Sequence, residues 1–392
     1  MFYHRNYLTP AASLLIALVT LIRATADEPP EVTEAKKKKW NPISLSAFRD
    51  GINHAVMGYK GNKAPYPQYT TDQIIHISEN ILAWQNADGG WPKNKDWTQT
   101  MSAKKLAELR KRRYKGRSSL DNRNTWSHIN YLTHVHKQTG LKRYADAAIK
   151  GIRYILKNQH KSGGWRGADV NAITFNDSVM TGVLHILHAI LTDRKLFSFV
   201  PEKIRKKVEK AYDDGMECLF KCQIRVNGRL TAWCQQHSHK TYKPVKARSY
   251  EPASIVTAES VYIVRFLMSL EKPSPRIREA IHAAVAWLDK VKIHGIRIKK
   301  VKAKPVKFSH HWCDFDTVEV KDPDAPPIWA RFYDLKKEKP IFANRNGKTT
   351  RNYMDVTRER RTGYSWYGYY PAKLLKEEYP SWVKKHGEKS KV

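Results

Sequence analysis

Several clusters in this 392-residue chain have the side-chain types that chemistry needs. Glu251 and Glu259 lie eight residues apart, as a pair of carboxyl groups that could share acid and base work. His310-His311-Trp312-Cys313 combines imidazoles and a thiol, the donor types that zinc accepts. Asp121-Asn122 and Asp177 offer hard oxygen donors. Arg248, Arg331 and Arg345, with Lys246 beside the first, supply cations whose guanidinium forks match carboxylates bidentately. The acid-pair and zinc readings are weak: Glu251 precedes Pro252 in what reads as a turn, and the His-Cys cluster sits in a basic insertion between Ile298 and Val320. The terpene-cyclase class is excluded by the absence of any D-x-D-D or D-D-x-x-D run.

The elements that must hold these groups read as mostly helical. Apolar residues recur at helical spacing in Leu141, Tyr144, Ala148, Ile152, Ile155, again in Val179, Met180, Val183, Leu184, Leu187, Ile190, and again in Ile263, Phe266, Leu267, Leu270. Strand alternation is confined to short stretches such as 224–231 and 296–306. One internal repeat stands out. Asn80 to Trp91 and Tyr154 to Trp165 share an I-L-x-x-Q-x-x-x-G-G-W core 74 residues apart, each a helix end, a Gly pair suited to positive φ, and a Trp able to fold back on the helix. Repeated helix, turn and Trp is what stacked helical hairpins need, and it predicts an all-α fold, an α/α toroid with short β excursions.

Composition narrows the partner. There are 71 Lys+Arg against 37 Asp+Glu, a formal net charge of +34, and 12 Trp with 20 Tyr give enough apolar surface for a large core. Residues 1–26 read as a signal peptide, with Arg5 in a basic head, an apolar stretch from Ala11 to Ile22, and Ala24-Thr25-Ala26 as cleavage site, so the chain is expected outside the cytoplasm or in the periplasm. Residues 27–44 read as a basic linker, 45–382 as one domain, and 383–392 as a polar tail. Cys218, Cys222, Cys234 and Cys313 lack C-x-x-C spacing and read as structural thiols, with one disulfide left open. Export, and the lack of a recognition motif, argue against a nucleic-acid partner. No membrane partner is expected after cleavage, and a monomer is expected.

In order along the chain, Gln85-Asn-Ala-Asp-Gly-Gly-Trp-Pro-Lys-Asn94, Asp121-Asn122, Ile173-Thr-Phe-Asn-Asp177, Thr231-Ala-Trp-Cys-Gln-Gln-His237, Lys246-Ala-Arg-Ser-Tyr-Glu251, Ala258-Glu-Ser260, Trp329-Ala-Arg-Phe-Tyr-Asp-Leu335 and Arg360-Arg-Thr-Gly-Tyr-Ser-Trp-Tyr-Gly368 closely resemble polysaccharide lyase family 10, the pectate lyases. The likeness covers about residues 45–382. It implies an (α/α)3 toroid and a secreted lyase that cleaves the α-1,4 bonds of polygalacturonate by calcium-assisted anti β-elimination, leaving 4,5-unsaturated ends. It further implies that Asp121 and Asp177 hold Ca2+, with Asn122 beside them, that Arg248 is the catalytic arginine, and that Arg331 and Arg345 bind substrate carboxylates. Lys246 is placed with the substrate-binding groups.

The residues agree with that chemistry on their own terms. Removing a proton α to a carboxylate builds an enolate-like dianion, which cations stabilise. Two Asp leave a hard metal room for substrate oxygens and water. The base is the difficult step, because a guanidinium is ordinarily charged at any working pH. Arg248 is therefore either a base perturbed by neighbouring cations or an electrostatic clamp, with Lys246 or hydroxide taking the proton. The chain departs from the family pattern where Arg123, Asn124, Thr125 and Trp126 replace a small Gly-Ala pair and the Thr residues after it, and where Ser178 follows Asp177. The competing functions are an anionic-polysaccharide-binding protein without catalysis and a lyase for another uronate polymer.

Overall fold

A computed structural model describes residues 28–57, 59–112, 117–309 and 311–387. The expected signal peptide, residues 1–26, lies outside them. The chain divides into two compact units: residues up to 118 together with 127–152, and residues 119–126 together with 153 onward.

The first unit is helical. Ile74–Trp84, Ala103–Arg112, Trp126–Thr139 and the first part of Lys142–Lys157 carry it, with Pro30–Lys37 lying inside the segment expected to be a linker and burying Val32 and Ala35. The second unit holds Val179–Thr192, Glu202–Lys221, Thr257–Met268, Pro275–Lys290, Arg358–Gly363 and Tyr379–His386. The last of these carries the chain into the segment expected to be a tail and buries Val383.

The repeated motif folds the same way twice. Gln85 Nε2 donates to Gly89 O (2.8 Å) and to Ala147 O (2.9 Å), while Trp91 Nε1 donates to Ile81 O (2.8 Å). In the second unit Gln159 Nε2 donates to Gly163 O (2.7 Å) and Ala211 O (2.8 Å), and Trp165 Nε1 to Ile155 O (2.9 Å). Each Gln thus ties its turn to the next helix while each indole closes the helix end behind it. Gly89 (φ 95°) and Gly163 (φ 91°) also leave no room for a side chain, since a Cβ would stand 2.3 Å from Lys150 O and 2.0 Å from Asp214 O respectively. A third corner escapes a sequence search. Gln223 Nε2 bridges Thr231 O and Ala280 O, and Trp233 Nε1 reaches Leu219 O. There the Gly-Gly turn is replaced by a small hairpin, Arg225–Val226 against Arg229–Leu230, so Gln and Trp stand ten residues apart rather than six.

The expectation of an all-α toroid is corrected. The chain is about 46% helix and 14% strand, and among the described residues the strands form six two-stranded antiparallel sheets. The longest pairs Ile296–Lys307 with Trp312–Lys321. The alternating, β-branched run over 296–306 is a full strand rather than an excursion, because a partner of matching length lies in 312–321. The five shorter sheets are two residues per strand, too brief to leave a periodic signal. Cys218, Cys222, Cys234 and Cys313 are all free and buried, as structural thiols should be.

Candidate functional site

The short sheets position the candidate residues, all of which lie in the second unit. Ile173–Thr174 pairs with Gln236–His237 and delivers the chain to Asp177. Ile255–Val256 pairs with Phe332–Tyr333, and Trp329–Ala330 pairs with Tyr367–Gly368, so Arg331 is held from both sides. Its N–H donates to Trp366 O (2.7 Å) and its carbonyl accepts from Thr257 N–H (3.1 Å). Arg248 sits in a turn closed by Ala247 N–H to Glu251 O and Glu251 N–H to Arg248 O.

The backbone carrying the two aspartates is strained. Asn122 (φ 52°), Arg123 (59°), Thr125 (63°), Asp177 (52°) and Ser178 (57°) are all left-handed without being glycine, and for a β-branched Thr that is costly. Arg123 N–H donates to Asp177 O (3.1 Å), joining the two segments. Trp126 turns its indole onto Gly182 of the helix that follows Asp177, where its Nε1 is buried without a hydrogen-bond partner.

From Asp177 a hydrogen-bond chain runs through the other candidates. Asn176 Nδ2 donates to Asp177 Oδ2 (2.8 Å), and Asn176 Oδ1 accepts from Arg331 Nη2 (3.4 Å). Arg331 Nη2 also donates to Glu259 Oε1, which accepts from Gln235 Nε2 (2.9 Å). Gln235 reaches Tyr364 Oη at 3.5 Å, and Tyr364 Oη donates to Glu251 Oε1 (3.0 Å). Glu251 is the partner of Arg248, accepting from Nε (2.9 Å), from Nη2 and from the Arg248 backbone N–H (3.2 Å). Beyond it, Tyr250 is shared by three guanidinium groups: Arg248, Arg345 and Arg360 lie 5.2, 5.4 and 4.6 Å from its ring centre. Arg345 and Arg360 both grip Glu359. Lys246 is exposed, two residues ahead of Arg248.

Charge follows from this wiring. Burial works to lower the Arg248 pKa, but the hydrogen bonds it donates to Glu251, and the attraction of that carboxylate, outweigh burial and raise it above the ordinary value. Arg331 shows the same balance, with burial overcome chiefly by Glu259. Glu251 is correspondingly lowered: burial opposes its ionisation, and the Arg248 fork prevails. Glu359, despite burial, is pushed down to about 2 by Arg360 and Arg345. The neighbouring cations expected to lower Arg248 are thus matched by a carboxylate that pushes the other way.

Asp121 is buried, and a Cβ at Gly167 would stand 2.9 Å from its Oδ1, so a residue without a side chain leaves space beside that oxygen. Carboxylates of Asp121 and Asp177 with the Asn122 amide form an all-oxygen set, the donor chemistry of a hard divalent cation. Among the described residues no group of three or more His, Cys, Asp or Glu is arranged to hold a metal. Of the His-Cys cluster, His310 lies outside the described residues, and His311 bonds Thr362 Oγ1 (2.9 Å). Asp88 and Trp91 serve their helix corner.

Sequence reasoning missed Asn176, Gln235, Glu259, Tyr364, Tyr250 and Glu359 as members of the network. All but Glu359 lie inside the quoted blocks, several of them next to or near a named residue, so adjacency was the available signal. The partnership of Glu251 with Arg248 was also missed, although their i, i+3 spacing was visible.

A family model for pectic acid lyase matches residues 85–375. A solved structure of an aspartate-to-alanine mutant of a family 10 polysaccharide lyase from Cellvibrio cellulosa, in complex with trigalacturonic acid, is similar to this chain with a TM-score of 0.65 at 25% identity, over 88% of this chain and 100% of that one. A second structure, of the family 10 polysaccharide lyase from Cellvibrio cellulosa, gives 0.64 at 25% identity, over 88% and 98%. No curated protein matches the chain.

Proposed function

The chain belongs to the pectic acid lyase family and is a polysaccharide lyase, and from that premise we propose that it cleaves de-esterified polygalacturonate by calcium-assisted anti β-elimination outside the cytoplasm. The observation that carries this is the continuous chain of hydrogen bonds from Asp177 to Arg248, which draws Arg331 into the same network. Several guanidiniums gathered in one network suit a polymer with one carboxylate per sugar. The net charge of +34 adds long-range attraction for it. The trigalacturonic acid bound by the similar Cellvibrio enzyme supports the same substrate.

Elimination breaks the C5–H bond, places those electrons in a C4=C5 double bond and releases the C4 glycosidic oxygen, which ends protonated. Arg331 and Arg345 hold substrate carboxylates, with Asn122 and Lys246 alongside. Asp121 and Asp177 would hold Ca2+, which when bound supplies positive charge to the substrate carboxylate. Arg248 meets the proton at C5. Its bonds to Glu251 use Nε and Nη2, and Nη1 has no protein hydrogen bond among the described residues. As a base it must first give up a proton that Glu251 helps it keep, so the rate rises with pH. No described helix is long and apolar enough to cross a membrane.

A second account of Arg248 is favoured by one observation, the upward push of Glu251 on its pKa. There Arg248 stays charged and clamps the substrate carboxylate while Lys246 or hydroxide takes the proton. The test of the function is absorbance of the conjugated alkene on mixing the protein with polygalacturonate at alkaline pH, with calcium and then with chelator. A calcium-dependent rise is expected, and none at any calcium concentration would refute the proposal. An Arg248→Lys protein with full activity would decide for the clamp.

A further inference from the structure

The hairpin of Ile296–Lys307 and Trp312–Lys321 is an unusual surface to leave in water. It pairs from Ile296 opposite Lys321 to Lys307 opposite Trp312, with a bulge between Lys302 and Val306. Lys299, Lys300, Lys302, Lys304 and Lys307 are all exposed along its first strand. Lysines on a strand that lacks a second neighbour are ordinarily explained as protection against edge-to-edge pairing. Trp312 does not fit that explanation. It is 70% exposed, more than any other large hydrophobic residue among those described, and stands directly across from Lys307. The acids of the second strand do not cancel the lysines fully: Asp316 is bound by Arg361, and Glu319 accepts from Tyr367 Oη (2.9 Å), which leaves Asp314 as the exposed acid.

The hairpin is fixed next to the arginine cluster by the helix Arg358–Gly363. Arg358 donates to Phe315 O (2.9 Å) and Cys313 O (3.2 Å) on the hairpin, while the next residue, Glu359, receives Arg345 and Arg360. At Gly363 the two meet. A Cβ there would stand 2.7 Å from His311 Cε1 and 2.9 Å from Arg360 Nη2, so glycine leaves room for His311 and for the guanidinium that stacks on Tyr250 beside the same backbone position. Trp312 is the residue after His311.

We infer that Trp312 and the hairpin lysines form an auxiliary subsite for the anionic sugar chain as it leaves the Tyr250 arginine cluster. The indole face covers one pyranose ring, and Lys304 and Lys307 meet its carboxylates and those of its neighbours. The occupant is a uronate polymer, because a stacking surface flanked by cations is complementary to a ring that carries a charge on its edge. This rests on the lyase reading above for the identity of the polymer.

Retardation of the full-length chain in native gels containing polygalacturonate, with chelator present so that nothing is cleaved, measures it. Trp312→Ala is expected to weaken binding roughly three- to tenfold, the worth of one stacked ring. Trp312→Phe should keep most of the affinity, and Lys304→Ala with Lys307→Ala should lower it and flatten its salt dependence. Unfolding followed by circular dichroism confirms that each variant is folded. Wild-type retardation by Trp312→Ala, or equal loss on a fully methyl-esterified neutral polymer or a DNA duplex, would overturn the subsite. Absence of unsaturated product from the wild type, with the Trp312→Ala loss intact, would instead overturn the lyase reading alone.

Discussion

Each unit of this protein buries a glutamate among arginines, and the two sites differ in every other respect. In the first, Glu79 on the helix Ile74–Trp84 accepts from Arg110 (3.1 Å), Arg143 (3.0 Å) and Tyr144 Oη (3.2 Å). Burial nevertheless wins there, and the Glu79 carboxyl is raised against the pull of Arg143 and Arg110. In the second unit Glu251 is equally buried yet lowered, because Arg248 offers it a two-pronged fork and a backbone N–H. Glu79 meets single prongs of two arginines on one oxygen, whereas Glu251 meets one planar fork on both. The surroundings diverge as well. Glu79 lies on regular helix, whereas the second network begins at Asp177, one of five left-handed residues packed into 122–125 and 177–178. A buried ion pair by itself therefore marks nothing. Backbone strain and cations crowded on one ring are what set the second region apart.

The comparison can be broken most decisively through activity. Arg248→Ala should lower elimination about a thousandfold, as loss of a group facing developing charge does, while Arg143→Ala should leave the rate of alkene formation near wild type. Comparable losses in both would erase the distinction between the regions.

Stability offers the next contrast. Glu259→Gln leaves Arg331 buried and uncompensated, and it should cost about 3–5 kcal/mol in denaturant unfolding. Glu79→Gln should cost only about 1–2 kcal/mol, because burial already works against the charge that the substitution removes. Reversal of that order would contradict the assignment of charge at both sites.

A smaller effect separates the two accounts of Arg248. Glu251→Gln removes the influence that raises its pKa, so the alkaline limb of the pH–rate profile should move to lower pH if Arg248 gives up a proton. If Arg248 only clamps, the limb stays in place and KM rises instead.

The smallest effects lie in acid and should have opposite signs. A carboxyl whose folded pKa is depressed contributes stability above its unfolded value of 4.5 that is lost as pH falls, toward about 2 for Glu359. Glu79, raised, contributes below 4.5 and loses its contribution as pH rises. Glu359→Gln should therefore flatten the acid limb of the stability profile, and Glu79→Gln should steepen it. Parallel shifts in calorimetric midpoints would show that the two carboxyls are not tuned in opposite directions.

How much of this was legible beforehand depends on how local the information is. The Gln, Gly-Gly and Trp corners could be found because each makes its turn from consecutive residues, and two copies keep the same spacing. The third corner could not, because a hairpin inserted between Gln223 and Trp233 destroys the spacing while leaving the hydrogen bonds intact. Asp121, Asp177, Arg248, Arg331 and Arg345 were recognisable by the blocks around them. The carboxylate that sets the charge of Arg331 was not, since Glu259 reaches it across 72 positions, nor was the hydroxyl of Tyr364, which reaches Glu251 across 113.

The sequence alone determined the helices, the repeated corners, the basic charge and the membership in a lyase family, because these depend on periodicity, turn chemistry and ordered motifs that are local in the chain. Only the tertiary structure decided that the fold is not all-α, since two-residue strands acquire meaning solely from the partners that pair with them. It also decided which way each guanidinium is pushed. Arg248 has Lys246 two residues before it and Glu251 three residues after it, and only the fold turns that carboxylate into a two-pronged partner at hydrogen-bond distance, where it outweighs the neighbouring cations.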